Sequence, residues 1–146
     1  APLGGALADR LARRLPGARI LVQAAGLVGG AAFVGLVARA GGAAALAAAM
    51  VCFGFSKGLY ESNIFAALFD SIEPRARGTA AGVMNTVGWS GGALGPLAIG
   101  FAAQYGRHGA DQAANMADGI AACSWVYAAC AALLFFAAFR LSGRRA

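Results

Sequence analysis

The sequence predicts an all-α polytopic membrane protein with four transmembrane helices. Three observations carry the prediction. The chain is 60% hydrophobic and 12% charged, about half the charge of an average soluble domain. Its apolar residues fall into four runs, each long enough for the roughly 20 residues that a spanning helix needs. Its arginines gather at the ends of those runs, nine on one side of the alternating path and two on the other.

The elements follow in order. The chain opens APLGG, without an initiator Met or the basic start of a signal peptide. This start reads as the tail of a preceding helix, and the 146 residues are expected to be a piece of a longer chain. GALADRLARR, residues 5–14, then concentrates charge directly before an oily run, as a connection held outside the bilayer does. The first span, 20–38, is uncharged; the second, 42–69, carries Lys57 and Glu61 after a long uncharged beginning. Pro74, within DSIEPRARG, breaks the path. The third span, 78–106, has no formal charge, and the fourth, 119–139, is the strongest of the set. All connections are short, so residues 1–146 read as one unit.

Arg10, Arg13, Arg14 and Arg19 precede the first span, Arg75 and Arg77 separate the second and third, and Arg140, Arg144 and Arg145 follow the fourth. Only Arg39 and Arg107 fall on the opposite side. Positive charge marks the cytoplasmic face, so both termini are expected in the cytoplasm, at a bacterial inner (plasma) membrane. A nucleic-acid partner is not expected despite the net charge of +6, because the basic residues form no stripe on a polar face. Cys52, Cys123 and Cys130 lack the paired spacing of a zinc site and read as buried, unpaired and reduced. No metal cluster, nucleophile–base pair or phosphate-binding loop is present in the sequence, so an enzyme or a cofactor is not expected. His108, Asp111 and Asp118 read as solvated residues of the external loop, with Tyr105 and Trp125 near external helix ends.

Small residues recur four apart at Gly26/Gly30, Gly54/Gly58, Gly78/Gly82, Gly88/Gly92 and Gly91/Gly95. Such spacing lets helices approach closely in lipid. The third span is the richest: Gly78, Gly82, Asn85, Gly92 and Pro96 mark one broad face over several turns, with Gly88 beside them. That helix is expected to pack tightly on its neighbours, with Pro96 as a site for a kink.

The stretch Gly5-Ala-Leu-Ala-Asp9-Arg10-Leu-Ala-Arg13-Arg14 resembles the G-x-x-x-D-R-x-G-R-R signature of the major facilitator superfamily. Ala12 stands where the signature has Gly, as suits the degenerate second copy between the eighth and ninth helices of that family. Four helices and a basic tail then follow, and EPRARGTAAGVMNT resembles the family's connection between its tenth and eleventh helices. The resemblance covers essentially the whole chain and implies the ninth to twelfth helices of such a transporter. It further implies a cytoplasmic charge latch built on Asp9, Arg10, Arg13 and Arg14. Asp9 would face a helix of the opposite bundle that this chain lacks, where a helix N-terminus stabilises an acid.

Lys57 and Glu61 lie about 20 Å and 13 Å from Asp70 at 1.5 Å per residue. Ionisable groups at such depth are costly and usually face a cavity or a partner. Their spacing of four puts them on one face, where they either merely neutralise each other, with Lys57 alternatively snorkelling, or line a solute or ion pathway. The resemblance favours the pathway, since the family's tenth helix lines its central cavity while the ninth and twelfth face lipid. Tyr60, Asn63 and Asn85 could add hydrogen bonds to a solute, although taken singly such a residue more often serves helix packing. Two functions are therefore carried forward. One is a secondary active transporter moving a small polar solute, an organic anion or sugar, by alternating access with coupling to protons through Glu61. The other is a self-contained four-helix scaffold or assembly subunit. The expected partners are the lipid bilayer, the solute and the remaining helices of a full-length transporter.

Overall fold

Five α-helices, one single 3-10 turn and no strand make up the described residues of the computed structural model. The structure describes residues 2–15 and 17–143; Arg144 and Arg145 of the basic tail lie outside the described residues. The helices are α1 (Pro2–Ala12), α2 (Ala18–Ala38), α3 (Ala43–Ser71), α4 (Arg77–Tyr105) and α5 (Gln112–Gly143), with the turn at Pro74–Ala76. They run up and down, so the ends of α1, α3 and α5 and the starts of α2 and α4 share one arginine-rich end.

The first three apolar runs match α2, α3 and α4 to within two residues at each end. α2, α3 and α5 are long and apolar enough to cross a membrane. α4 has the length, with 29 residues, but its Gly, Thr, Asn and Ser content dilutes its apolarity. α5 begins well before residue 119 because Asp111 caps it, its Oδ1 accepting the Ala114 N–H at 3.0 Å.

GALADRLARR is not mainly a connection. Its first eight residues complete α1, and the connection is Arg13–Gly17. The reason is packing: Gly4 and Ala8, one turn apart, are buried, and α1 lies against α2 and α3. Gly17 closes the connection at φ 77°, a left-handed conformation that favours glycine.

α2 is the hub of the bundle and packs along both α5 and α3. The buried row Val22, Gly26, Gly30 and Val34 runs down its length. A Cβ on Gly26 would lie 2.7 Å from the Ser56 carbonyl oxygen and 2.9 Å from the Tyr60 nitrogen, and one on Gly30 would lie 2.8 Å from the Tyr127 ring. Gly26/Gly30 is therefore a working small-residue pair: at Gly26 backbone meets the backbone of α3, and at Gly30 it admits the Tyr127 ring of α5, close packing of the kind that joins helices in lipid.

The expected tight packing of α4 is not seen within the chain. α4 has no buried residue, rests mainly on α5 and touches α3 only lightly. A Cβ on Gly78, Gly82, Gly88, Gly91, Gly92 or Gly95 would meet nothing within 4 Å. Small residues permit close approach but supply no partner. α4 continues as helix through Pro96, which cannot donate to the carbonyl one turn back.

At the end remote from the arginines, α4 and α5 are joined closely. Asn115, only 1% exposed, accepts the His108 N–H at 2.8 Å and donates to the carbonyls of Ala103 (3.3 Å) and Gly109 (3.2 Å). Asp118 accepts from Arg107 at 2.9 Å and pairs with His108 at 3.0 Å. This connection is thus an ordered polar joint at which His108 and Asp111 remain exposed. The three cysteines are free, and none is buried as expected: Cys52 and Cys123 are half-buried and Cys130 is exposed.

Candidate functional site

Two charged sites are built on α3, one at its middle and one at its C-terminal end. Lys57 is the central residue of α3 (Ala43–Ser71), about 21 Å from either end at 1.5 Å per residue. Glu61 follows one turn later on the same face. Lys57 Nζ donates to Glu61 Oε1 in a salt bridge. The side chains are 46% and 51% exposed, so no helix of this chain covers the pair. Facing hydrocarbon at that depth, such a pair would be costly. The face calls for water or for further protein.

Tyr60 occupies the adjoining face. It meets Gly26 and lines a cleft of about 450 Å³ between α2, α3, α4 and α5, with Gln23, Leu27, Met84 and Cys130 among its neighbours. The cleft is mostly apolar, with one phenol, one amide, one thiol and the Ser71 hydroxyl to orient a guest. Tyr127 of α5 belongs to the same region. Its ring meets Phe53 edge-on, centroids 5.8 Å apart, and it stands within electrostatic reach of Lys57 and Glu61. The sequence did not single out Tyr127, because it has no charge and no motif; the one available signal was a phenol inside an otherwise uncharged span.

Asn63 does not join this group. It is fully buried, and its Nδ2 donates to the carbonyls of Gly4 (3.2 Å) and Leu59 (3.1 Å) and to Ser62 Oγ (3.2 Å). Its own carbonyl accepts from Gln23 Nε2 at 3.3 Å. Asn63 therefore pins α1, α2 and α3 together, and its Oδ1 is left without a partner. The physical reason is rotation: two residues past Glu61, at about 100° each, it points to the far side of the helix. Asn85 is exposed on α4 and makes no hydrogen bond among the described residues.

The second site closes the arginine-rich end. Arg19, at the start of α2, donates from Nη2 to Asp9 at 3.0 Å and from Nε to Asp70 at 2.9 Å. One guanidinium thus links α1, α2 and α3. The carboxylates are 62% and 63% exposed, and exposed pairs contribute about 0.2–1 kcal/mol each. The family resemblance put the partner of Asp9 on a helix outside this chain; within the chain Asp9 pairs with Arg19, which lies beyond the motif. Arg10, Arg13 and Arg14 are exposed and have no ion-pair partner among the described residues. Gly5 of the motif stands in open space, whereas a Cβ on Gly4 would collide with Ser62 Oγ and lie 3.0 Å from Leu59 Cα. The close-packed glycine is one residue earlier than the motif suggests.

Comparison of the chain with family models, with curated proteins and with solved structures returns no match. Fold and site define an all-helical protein with three helices apolar enough to cross a membrane and an ion pair at the middle of one of them. Among the described residues no cluster of His, Cys, Asp and Glu could hold a metal ion.

Proposed function

We propose that the chain is the ninth-to-twelfth-helix part of a secondary active transporter of the major facilitator type. In this reading α2 to α5 all span the membrane, α1 ends the eighth helix, and both termini lie in the cytoplasm. The observation that carries it is the Lys57–Glu61 pair, central on α3 and left open by every helix of this chain. An aqueous solute pathway is the cheapest surrounding for such a pair. The arginine asymmetry supports the four-span path, and α4, the least apolar helix, spans when covered by other protein. Lys57 favours an anionic or sugar-like solute, and Glu61 is the group that would carry a coupled proton.

The test is Glu61→Gln in the full-length protein, reconstituted in vesicles and supplied with a panel of labelled organic anions and sugars. Solute exchange should persist while pH-driven accumulation is lost. Stability should fall by about 1 kcal/mol or less, because Lys57 keeps its water; a pair sealed in protein would lose about 3–5 kcal/mol. Full pH-driven accumulation by the variant would sink the assignment of Glu61.

The open glycine face of α4 supports a second reading, a four-helix scaffold with a partner helix seated on α4. It predicts no uptake of any solute and loss of the partner on Gly88→Leu.

A further inference from the structure

At the arginine-rich end, α2 and α5 leave a groove of about 590 Å³ lined by Leu21, Phe135, Phe136, Ala138 and Phe139. Its rings are not core residues: Phe135, Phe136 and Phe139 are 43%, 59% and 80% exposed. Arg140 stands at its edge, its guanidinium carbon 5.0 Å from the centre of the Phe136 ring. A cation–π contact of this kind does not use up the guanidinium N–H donors, which an oxyanion can still take.

The start of α2 meets the same wall: a Cβ built on Gly17 would lie 3.8 Å from the Ala138 carbonyl oxygen. Of the arginines at this end, Arg19 is neutralised by Asp9 and Asp70. Arg13, Arg14 and Arg140 have no carboxylate partner among the described residues. An apolar trough thus ends in uncompensated cationic charge, at a helix end where a bilayer has its headgroups.

We infer that this groove holds an anionic phospholipid, with an acyl chain along Leu21 and the three phenylalanines and the headgroup phosphate at Arg140. A partner helix fits the groove less well. Helices that associate in lipid present small residues, and here the walls are large rings, while the small-residue face belongs to α4. A zwitterionic lipid would fill the trough but leave Arg140 only partly answered. α5 is highly apolar and, unlike the buried hub α2, leaves nearly all of that apolar surface uncovered by the rest of the chain, as suits a helix in contact with lipid. The inference rests on membrane association and not on transport, so it survives if the solute-pathway reading fails.

The test is native mass spectrometry of the purified chain in detergent, titrated with phosphatidylglycerol or phosphatidylcholine of identical acyl chains. A basic residue at a membrane surface contributes about fivefold in affinity for an anionic lipid, so phosphatidylglycerol should be retained at least about that much more tightly. Arg140→Gln should lower phosphatidylglycerol retention about fivefold and leave phosphatidylcholine unchanged. Phe139→Ala should weaken both lipids. Because Phe139 is exposed, that variant should keep its helical circular dichroism; if it does not, Arg140→Gln alone decides. Glycerol 3-phosphate tests whether a free phosphate suffices and should not bind measurably. Equal retention of the two lipids, an unchanged preference in Arg140→Gln, or glycerol 3-phosphate binding as tightly as phosphatidylglycerol would each overturn the inference. So would a lipid-free dimer that dissociates in Phe139→Ala, which would give the groove to a second copy of the chain.

Discussion

Gly26→Ala is the smallest change that should disturb the bundle. The added carbon would sit 2.7 Å from the Ser56 carbonyl oxygen and 2.9 Å from the Tyr60 nitrogen. Both are backbone atoms of α3, so no side-chain rotation relieves the contact. Comfortable separations for such atoms are about 3.5–4.0 Å, and the helices must part by roughly 0.5–1 Å; a gap of that size forfeits a quarter to a half of each dispersion contact across the interface. Overpacking of this kind costs about 1–3 kcal/mol, and the upper half of that range applies because backbone must move. Alanine returns about 1 kcal/mol through its better helix propensity, so the net loss should be about 1–2 kcal/mol. Gly88→Ala is the control: its added carbon meets nothing within 4 Å, so the chain should be neutral or gain up to about 1 kcal/mol. The assay is unfolding of the purified chain in mixed dodecylmaltoside and dodecyl sulfate micelles, followed by far-ultraviolet circular dichroism. Equal stability of Gly26→Ala and the parent would refute the reasoning, as would equal damage at both positions. In a full-length transporter Gly88→Ala should become costly, because there the α4 face is covered.

Two further outcomes are expected. In a version lacking native cysteines, an impermeant thiol reagent outside the cell should label Ala110→Cys and spare Glu73→Cys, both at exposed connections; the reverse pattern would invert the proposed orientation. Asn63→Ala should cost about 1–3 kcal/mol in the same micelle titration, from the loss of its side-chain hydrogen bonds to the Gly4 carbonyl of α1 and to the Leu59 carbonyl within α3 at about 0.5–1.5 kcal/mol each, and should expose the connection over residues 13–17 to trypsin. Unchanged stability with unchanged proteolysis would remove Asn63 as the joint between α1 and α3.

Some of this protein was written in local chemistry. The bounds of α2, α3 and α4 follow from where apolar runs meet arginines, because the desolvation of charge is a property of each residue and needs no partner. The pairing of Lys57 with Glu61 was legible for the same reason: a spacing of four fixes their neighbourhood on any helix. Partnership across the bundle was not legible. Gly26/Gly30 and Gly88/Gly92 share one spacing, yet only the first meets another backbone, since small residues allow approach without choosing a neighbour. Asn63 and Asn85 looked alike as polar residues in apolar runs. The rotation of α3 buries one against Gly4 and Gln23, and the peripheral position of α4 leaves the other open. Within the chain Asp9 pairs with Arg19, which also holds Asp70, because an ion pair forms wherever the fold brings helix ends within a few ångströms. Composition and periodicity determined which segments are helical and which charges must stay out of hydrocarbon. Tertiary structure alone decided which faces touch, because contact depends on the mutual placement of α1, α2, α3, α4 and α5, and no single segment encodes that.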